Sequence, residues 1–107
     1  ATAMSVVRFP DVLSVEKKEL ILSKQLLRSG TSIGANVREC ADAQSRADFL
    51  NKFNIALKEA NETSYWIDLL HDTDFMNDEE YESIYADCMV LKKLLTSIVK
   101  TTRSKSN

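Results

Sequence analysis

The segment Ser23–Cys40, SKQLLRSGTSIGANVREC, decides the fold of this chain. If each residue advances about 100° around a helix, the apolar side chains of this segment fall on one narrow stripe. The stripe begins one residue before the segment, at Leu22. The pattern predicts a long helix over residues 15–42 that buries one face along several turns. The stripe consists of Leu22, Leu26, Ile33, Val37 and Cys40.

Two glycines, Gly30 and Gly34, border this stripe. A glycine inside a helix costs about 1 kcal/mol relative to alanine, so two of them need a structural reason. Without a Cβ, a glycine allows a neighbouring backbone to approach closely. Ala56 and Ala60 are also four residues apart. If their helix packs antiparallel to the first one around a turn near residue 45, the two alanines lie level with the two glycines. We therefore expect a close crossing of small residues; the alternative is that one glycine marks a helix break.

The composition favours one soluble, mostly helical domain. The chain has 107 residues with only two glycines and one proline, whereas strands and tight turns would require more of both. No apolar run approaches the length of a membrane span, and the N-terminal residues lack the pattern of a secretory signal. Two cysteines without CxxC spacing indicate a reducing, cytoplasmic setting.

Periodicity and capping signals predict the remaining helices. Pro10 interrupts a short apolar helix near the N-terminus, while Ser14, Ser45 and Asn77 are suited to cap the helices that follow them. Short connections make neighbouring helices antiparallel. Residues 1–107 are thus predicted to form a single all-α domain, an antiparallel up-down four-helix bundle with a short first helix. The predicted helices cover residues 4–13, 15–42, 46–71 and 78–102, and residues 103–107 are expected to fray.

Heptad-like apolar positions define the faces that should meet in the core. The third predicted helix has a seven-residue repeat over three heptads, typical of a bundle seam. The seam consists of Phe49, Phe53, Ala56, Ala60, Thr63, Ile67 and Leu70. The corresponding face of the fourth helix consists of Tyr81, Ile84, Cys88, Leu91, Leu95 and Ile98.

A second apolar strip on the third predicted helix lies roughly opposite its seam. We interpret this strip as a subunit interface, because it would be wet in an isolated bundle. In the alternative interpretation, the first helix folds across it. The candidate interface residues are Ile55, Glu59, Glu62, Tyr65, Trp66 and Leu69.

Charge is distributed unevenly along the chain, whose net charge is −2. Residues 59–87 contain ten acidic and no basic side chains, whereas residues 88–107 contain five basic and no acidic ones. Favourable interactions with helix dipoles explain part of this pattern. The alternative is a basic rim for a phosphate backbone, formed by Arg38, Arg46, Lys52, Lys100 and Arg103, with Lys105 beside them.

No constellation of reactive side chains indicates catalysis, a metal or another cofactor. His71 is the single histidine, so His-rich metal sites and histidine pairs are excluded, and we expect it to be a solvated residue at a helix end. Glu59 and Glu62 share a helix face, but we expect them to be solvated or to form salt bridges at the interface rather than to perform acid–base chemistry. Cys40 and Cys88 lie roughly 15 Å apart in the predicted register, too far for a disulfide. We therefore expect that the protein is not an enzyme.

Two segments resemble the four-helix bundle family that includes proteins encoded by intervening sequences of 23S rRNA genes. They are LSKQLLRSGTSIGANVREC and AQSRADFLNKFNIALKEANETSYWIDLL. The resemblance implies homopentameric rings, and relatives include a basic, nucleic-acid-binding accessory protein of diversity-generating retroelements. The matching positions, for which the resemblance implies no catalytic role, are Gln25, Arg28, Ser32, Asn36, Glu39, Glu59, Asn61, Glu62 and Trp66.

Together these features predict a non-enzymatic, homo-oligomeric helical-bundle protein. We expect it to act as an accessory factor associated with structured RNA, a ribonucleoprotein or the ribosome. The alternative is a protein–protein interaction scaffold that does not bind nucleic acid, which the acidic net charge favours.

Overall fold

A computed structural model describes residues 14–105 and has an all-α fold over that part of the chain. The long helices are α1, Val15–Glu39; α2, Arg46–Asp72; and α3, Asp78–Ser104. A short 3₁₀ helix, Cys40–Asp42, extends α1 towards the following turn. The described residues thus contain three long helices, where a four-helix bundle was predicted. The predicted first helix, residues 4–13, lies outside the described part.

The predicted capping residues begin all three helices. Ser14 and Ser45 accept hydrogen bonds from the backbone N–H three residues later, and Asn77 forms a reciprocal capping box with Glu80. These bonds satisfy amide groups that the first helical turn leaves without partners. The C-terminal end of α3 was placed too early, since Arg103 and Ser104, assigned to a frayed tail, belong to the helix.

The central element is α2, which packs against both other long helices. Within the described residues, no Cα atom of α1 lies within 8 Å of one in α3, so α2 holds these two helices together. The predicted α2 seam is confirmed, because its residues are buried except for Phe49, which is half-buried. Short side chains in this seam bring α1 and α3 close to the α2 backbone. The Cys88 thiol of α3, for example, donates to the Ala60 carbonyl over 3.6 Å.

On α1, the predicted stripe is largely correct but includes one residue too many and omits one. Leu22, Ile33 and Cys40 are buried, whereas Val37 remains 37% exposed. The omitted residue is Ser29, seven positions after Leu22 and fully buried. The Thr63 hydroxyl of α2 donates to the Ser29 hydroxyl over 2.9 Å, which satisfies a polar pair in the α1–α2 interface.

The predicted close crossing of glycines and alanines is wrong. Ala56 and Ala60 are fully buried, but a Cβ built on Gly30 or Gly34 would have no neighbouring atom within 4 Å. Both glycines are exposed and helical, so the alternative of a helix break is wrong as well. The buried α1 stripe turns the glycines away from α2, and the hydroxyls of Ser29 and Thr63 meet in their place.

Both cysteines are free and buried, as predicted. Burial raises the pKa of the Cys40 and Cys88 thiols, so both remain protonated at neutral pH. They act as small core side chains rather than nucleophiles.

Replacing either glycine by alanine should stabilise the isolated chain. Gly30→Ala and Gly34→Ala should each raise the free energy of unfolding by about 1 kcal/mol, because the helix gains propensity and the new methyl group meets no neighbour. Urea unfolding at low protein concentration measures the change. Ala60→Val at the fully buried seam should instead lower stability by about 1–3 kcal/mol. Destabilisation by Gly34→Ala would contradict the open position of this residue.

Candidate nucleic-acid interface

The antiparallel order places the C-terminal ends of α1 and α3 beside the N-terminal end of α2. Arg46, the first residue of α2, donates from its guanidinium to the backbone carbonyl of Lys105, the residue that caps α3. This bond joins chain positions 59 residues apart and fixes the basic end of the molecule. Lys100, Arg103 and Lys105 are exposed in the last turns of α3 or at its cap.

Two of the five cations predicted to bind nucleic acid, Lys52 and Arg38, have different surroundings from the residues at the end of α3. The Lys52 ammonium forms a 2.8 Å ion pair with Glu39, and this hydrogen bond raises the pKa of the lysine. Its charge is therefore already compensated, which makes Lys52 a weak phosphate ligand. Arg38 is exposed in the last turn of α1, but lies roughly 160° around the helix from Leu22 and points away from the core stripe.

An open cavity of about 380 Å³ lies between the start of α2 and the end of α3. Its wall contains an aromatic ring, two basic residues and several hydroxyl groups. The lining residues are Cys40, Ala43, Ser45, Arg46, Phe49, Thr101, Thr102 and Lys105. No aromatic residue was predicted among the cations, but Phe49, three residues after Arg46, shares this lining with it.

A second groove runs along the outer surface of α3 and meets the cavity at Thr101. It has a volume of about 470 Å³ and is lined by Met89, Lys92, Lys93, Thr96, Ser97, Lys100 and Thr101. Lys92 and Lys93 were not among the predicted binding residues. The absence of acidic residues after position 87 was the signal that could have identified them. Groove and cavity share the lining residue Thr101, and we refer to the two together as the basic track.

Of the candidate interface residues on α2, the structure contradicts Leu69, while Ile55, Glu59, Glu62, Tyr65 and Trp66 are partly exposed. Leu69 is fully buried against Leu22 and Leu70, so it cannot contribute to a subunit contact. Trp66 and Tyr65 are half-buried against the same cluster, with their rings edge to face at 5.0 Å. The strip faces α1 because α1 packs over this flank of α2.

Most of the positions that the family resemblance singled out lie along this α1–α2 boundary. Arg28 donates to Glu59 over 3.1 Å and also bonds Glu62, while Gln25 accepts from its Nε. The Trp66 indole N–H donates to the same Glu62 carboxylate over 3.3 Å. The Glu59 side chain is only 12% exposed and the Arg28 side chain 48%, so these ion pairs join α1 to α2 at the edge of the core. Both glutamates thus form salt bridges within the chain, and a subunit-interface role for them stays a prediction.

At the acidic end, a cluster of side chains ties α2 to α3. His71 was expected to be solvated, but its ring stacks on Tyr81 at 4.1 Å and its Nε2 lies 2.7 Å from an Asp78 carboxylate oxygen. Tyr81 donates its hydroxyl proton to Asp68 over 2.8 Å. Burial, together with this hydrogen bond, raises the pKa of Tyr81 to about 12. The cluster therefore fixes the turn between the helices.

Neither a metal site nor a membrane span is found in residues 14–105. No group of three or more histidine, cysteine or carboxylate residues could hold a metal ion there. Over the same range, no helix combines the length and apolar character needed to cross a bilayer.

The fold and these surfaces define a small helical-bundle protein with a basic end. A family model described as "23S rRNA-intervening sequence protein" matches residues 2–97, and the chain belongs to that family. The chain is similar to a crystal structure from Bacteroides thetaiotaomicron VPI-5482, described as a protein with unknown function from the S23 ribosomal protein family. The two are 64% identical, with 79% of each chain covered and a TM-score of 0.75. No curated protein matches the chain.

Titration of tyrosinate absorbance tests the Tyr81–Asp68 contact. One of the three tyrosines should ionise near pH 12 rather than 10, and Tyr81→Phe should abolish that phase. Because the folded-state pKa is raised, the contribution of Tyr81 to stability is fully present below about pH 10 and is lost as the pH rises through 12. Tyr65→Phe serves as the matched control. Retention of the high-pH phase in Tyr81→Phe would contradict this assignment.

Proposed function

We propose that this protein is a non-enzymatic, homo-oligomeric accessory factor that associates with RNA or a ribonucleoprotein in the cytoplasm. The observation that carries the proposal is the basic track at one end of the bundle. Arg46, Lys100, Arg103 and Lys105 are exposed there, and none of them forms an ion pair within the described residues. Unpaired cations that share one surface attract a phosphate backbone.

Self-association would increase the affinity of such a surface. A single track carries few charges and the chain as a whole is acidic, so one copy would bind weakly. Several copies in a closed assembly would present several tracks to one RNA, and the second contact would then be intramolecular. The family resemblance implies a pentamer, and we propose that assembly here.

Exposed apolar side chains on the outer helices support self-association. Leu27 on α1 is 67% exposed, and Val90 and Leu94 on α3 are 69% and 56% exposed. Solvent-facing leucines and valines on both flanks of a small chain are typical of subunit contacts. We place the contacts between copies on these flanks rather than on the Trp66 strip, which packs within the chain.

The alternative function is a protein–protein interaction scaffold that does not bind nucleic acid. The Lys52–Glu39 pair favours it, since one predicted phosphate ligand is already neutralised. The acidic α2–α3 end also favours it, because basic and acidic ends could attract each other between copies.

Salt-dependent binding to a structured RNA separates these functions. Affinity should fall steeply as salt increases, and the triple variant Arg46→Glu, Lys100→Glu, Arg103→Glu should bind at least about tenfold more weakly with a shallower salt dependence. The matched control replaces Lys17, Lys24 and Lys58 by Glu. It has the same net charge as the triple variant, but its substitutions lie away from the track. An equal loss in both variants, or no binding by the wild type at low salt, would reject a specific RNA-binding end.

Sedimentation velocity tests the assembly. The wild type should sediment as a multiple of the 12.1 kDa chain, and Leu27→Gln with Leu94→Gln should shift it to smaller species, because two exposed apolar contacts are removed. The control, Lys24→Gln, changes an exposed α1 residue outside the apolar set and should leave the mass unchanged. A monomeric wild type would contradict self-association.

A further inference from the structure

The cavity at the basic end brings an aromatic ring and two basic side chains into one lining. We call its apolar lining residues, which include Phe49 and Ala43, the floor, and its basic and hydroxyl-bearing lining residues, which include Arg46, Lys105 and Thr101, the rim. At about 380 Å³ it lies at the small end of the range for ligand pockets, roughly 300–1,000 Å³, and is too small for a helix or a duplex. Its occupant should therefore be a small group with one anionic and one flat apolar part.

The rim is prepared for a phosphate group. Arg46 is fixed in place by its bond to the Lys105 carbonyl, which uses one nitrogen of the guanidinium and leaves its other donors available. Of the carboxylates near Arg46 in sequence, Asp48 accepts from the Gln44 N–H over 3.1 Å and Glu39 pairs with Lys52, while Asp42 is exposed. The lining of the cavity itself contains two basic residues and no acidic one.

The floor is suited to an unstacked base. The Phe49 ring is half-buried and held by Phe53, with the ring centroids 4.8 Å apart and the planes tilted by 51°. This packing restricts the orientation of the ring while part of it remains exposed in the cavity wall. Aromatic faces beside cations are the usual platform for bases of single-stranded RNA. The buried Cys40 thiol stays protonated and adds no charge to the floor.

We propose that this cavity binds one nucleoside monophosphate, with the phosphate on Arg46 and Lys105 and the base on the Phe49 ring. The proposal rests on the RNA association above and specifies its ligand. The groove that meets the cavity at Thr101 then carries the neighbouring phosphates along Lys100. The same chemistry could come from a free nucleotide or from a nucleotide within a strand.

Binding of a labelled single-stranded RNA dodecamer tests the cavity in the full-length chain. Phe49→Leu retains an apolar side chain but removes the aromatic face, and should weaken binding on the order of tenfold without changing the salt dependence. Arg46→Gln should weaken it by a similar factor and also flatten the salt dependence. Arg38→Gln, which removes an equal charge outside the cavity, should change affinity only about twofold. Thermal unfolding establishes that each variant folds.

Amide NMR titrations with adenosine monophosphate and with inorganic phosphate decide the outcome independently of RNA. Shifts at Phe49 and Thr101 with the nucleotide, but not with phosphate alone, support the proposal. If adenosine monophosphate displaces the dodecamer, the free nucleotide is a ligand of the cavity. If it does not displace the dodecamer, the ligand is a nucleotide within a strand. Equal shifts with phosphate alone would reduce the cavity to an anion site and overturn the proposal.

The remaining outcomes separate this proposal from the proposed function. RNA binding with the same affinity in Phe49→Leu, Arg46→Gln and Arg38→Gln would overturn the cavity but leave RNA association intact. Nucleotide shifts at Phe49 without RNA binding would keep the cavity and reject the RNA function. If neither nucleotide shifts nor RNA binding is observed, both the cavity proposal and the proposed RNA association are rejected. Shifts that depend on protein concentration alone would assign the cavity to a contact between copies and overturn its role as a ligand site.

Discussion

The packing of two helices against opposite flanks of α2 is the constraint on which the rest of the described structure depends. The backbones of α1 and α3 do not contact each other, so the close backbone contacts of both are with α2, while Ile33 of α1 shares one apolar cluster with Leu95 and Val99 of α3. Short residues on α2 set how close they come. Ala60 has no exposed surface and accepts from the Cys88 thiol of α3, and Thr63 accounts for the buried polar contact with Ser29 of α1. A larger side chain in this seam would push an outer helix away, since the interior is close-packed.

This arrangement also separates charge along the long axis of the molecule, which measures 52 Å. Two antiparallel turns place the acidic segment 59–87 largely at the α2–α3 connection and the basic end of α3 beside the start of α2. The ends are fixed by different means. The acidic end relies on Tyr81 and His71 contacts with carboxylates, and the basic end on the Arg46 bond to a helix-terminal carbonyl. A directional molecule of this kind suits both an RNA-binding end and head-to-tail contacts between copies.

The ion-pair network at the α1–α2 boundary gives a structural role to the positions that the family resemblance singled out. Arg28, Glu59, Glu62 and Trp66 are joined to one another within the chain. Their role in a single copy is to fix how α1 lies on α2, because charge-assisted hydrogen bonds of this geometry specify both register and orientation. Leucines of α1 and α3 that remain exposed, such as Leu27 and Leu94, take no part in this network.

Much of the fold was determined by the sequence alone. Scarce glycine and proline, three capping residues and the seven-residue repeat of α2 predicted the helices and the buried seam, because these signals act through contacts within a few residues of each other. Only the tertiary structure decided how each helix is rotated about its axis. Small rotations, set by how side chains of different helices fit, turned Gly30 and Gly34 outward, buried Leu69 and Ser29, and placed the Phe49 ring in the cavity lining. Periodicity fixes which residues share a face but not which neighbour that face meets, so these outcomes could not be read from the sequence.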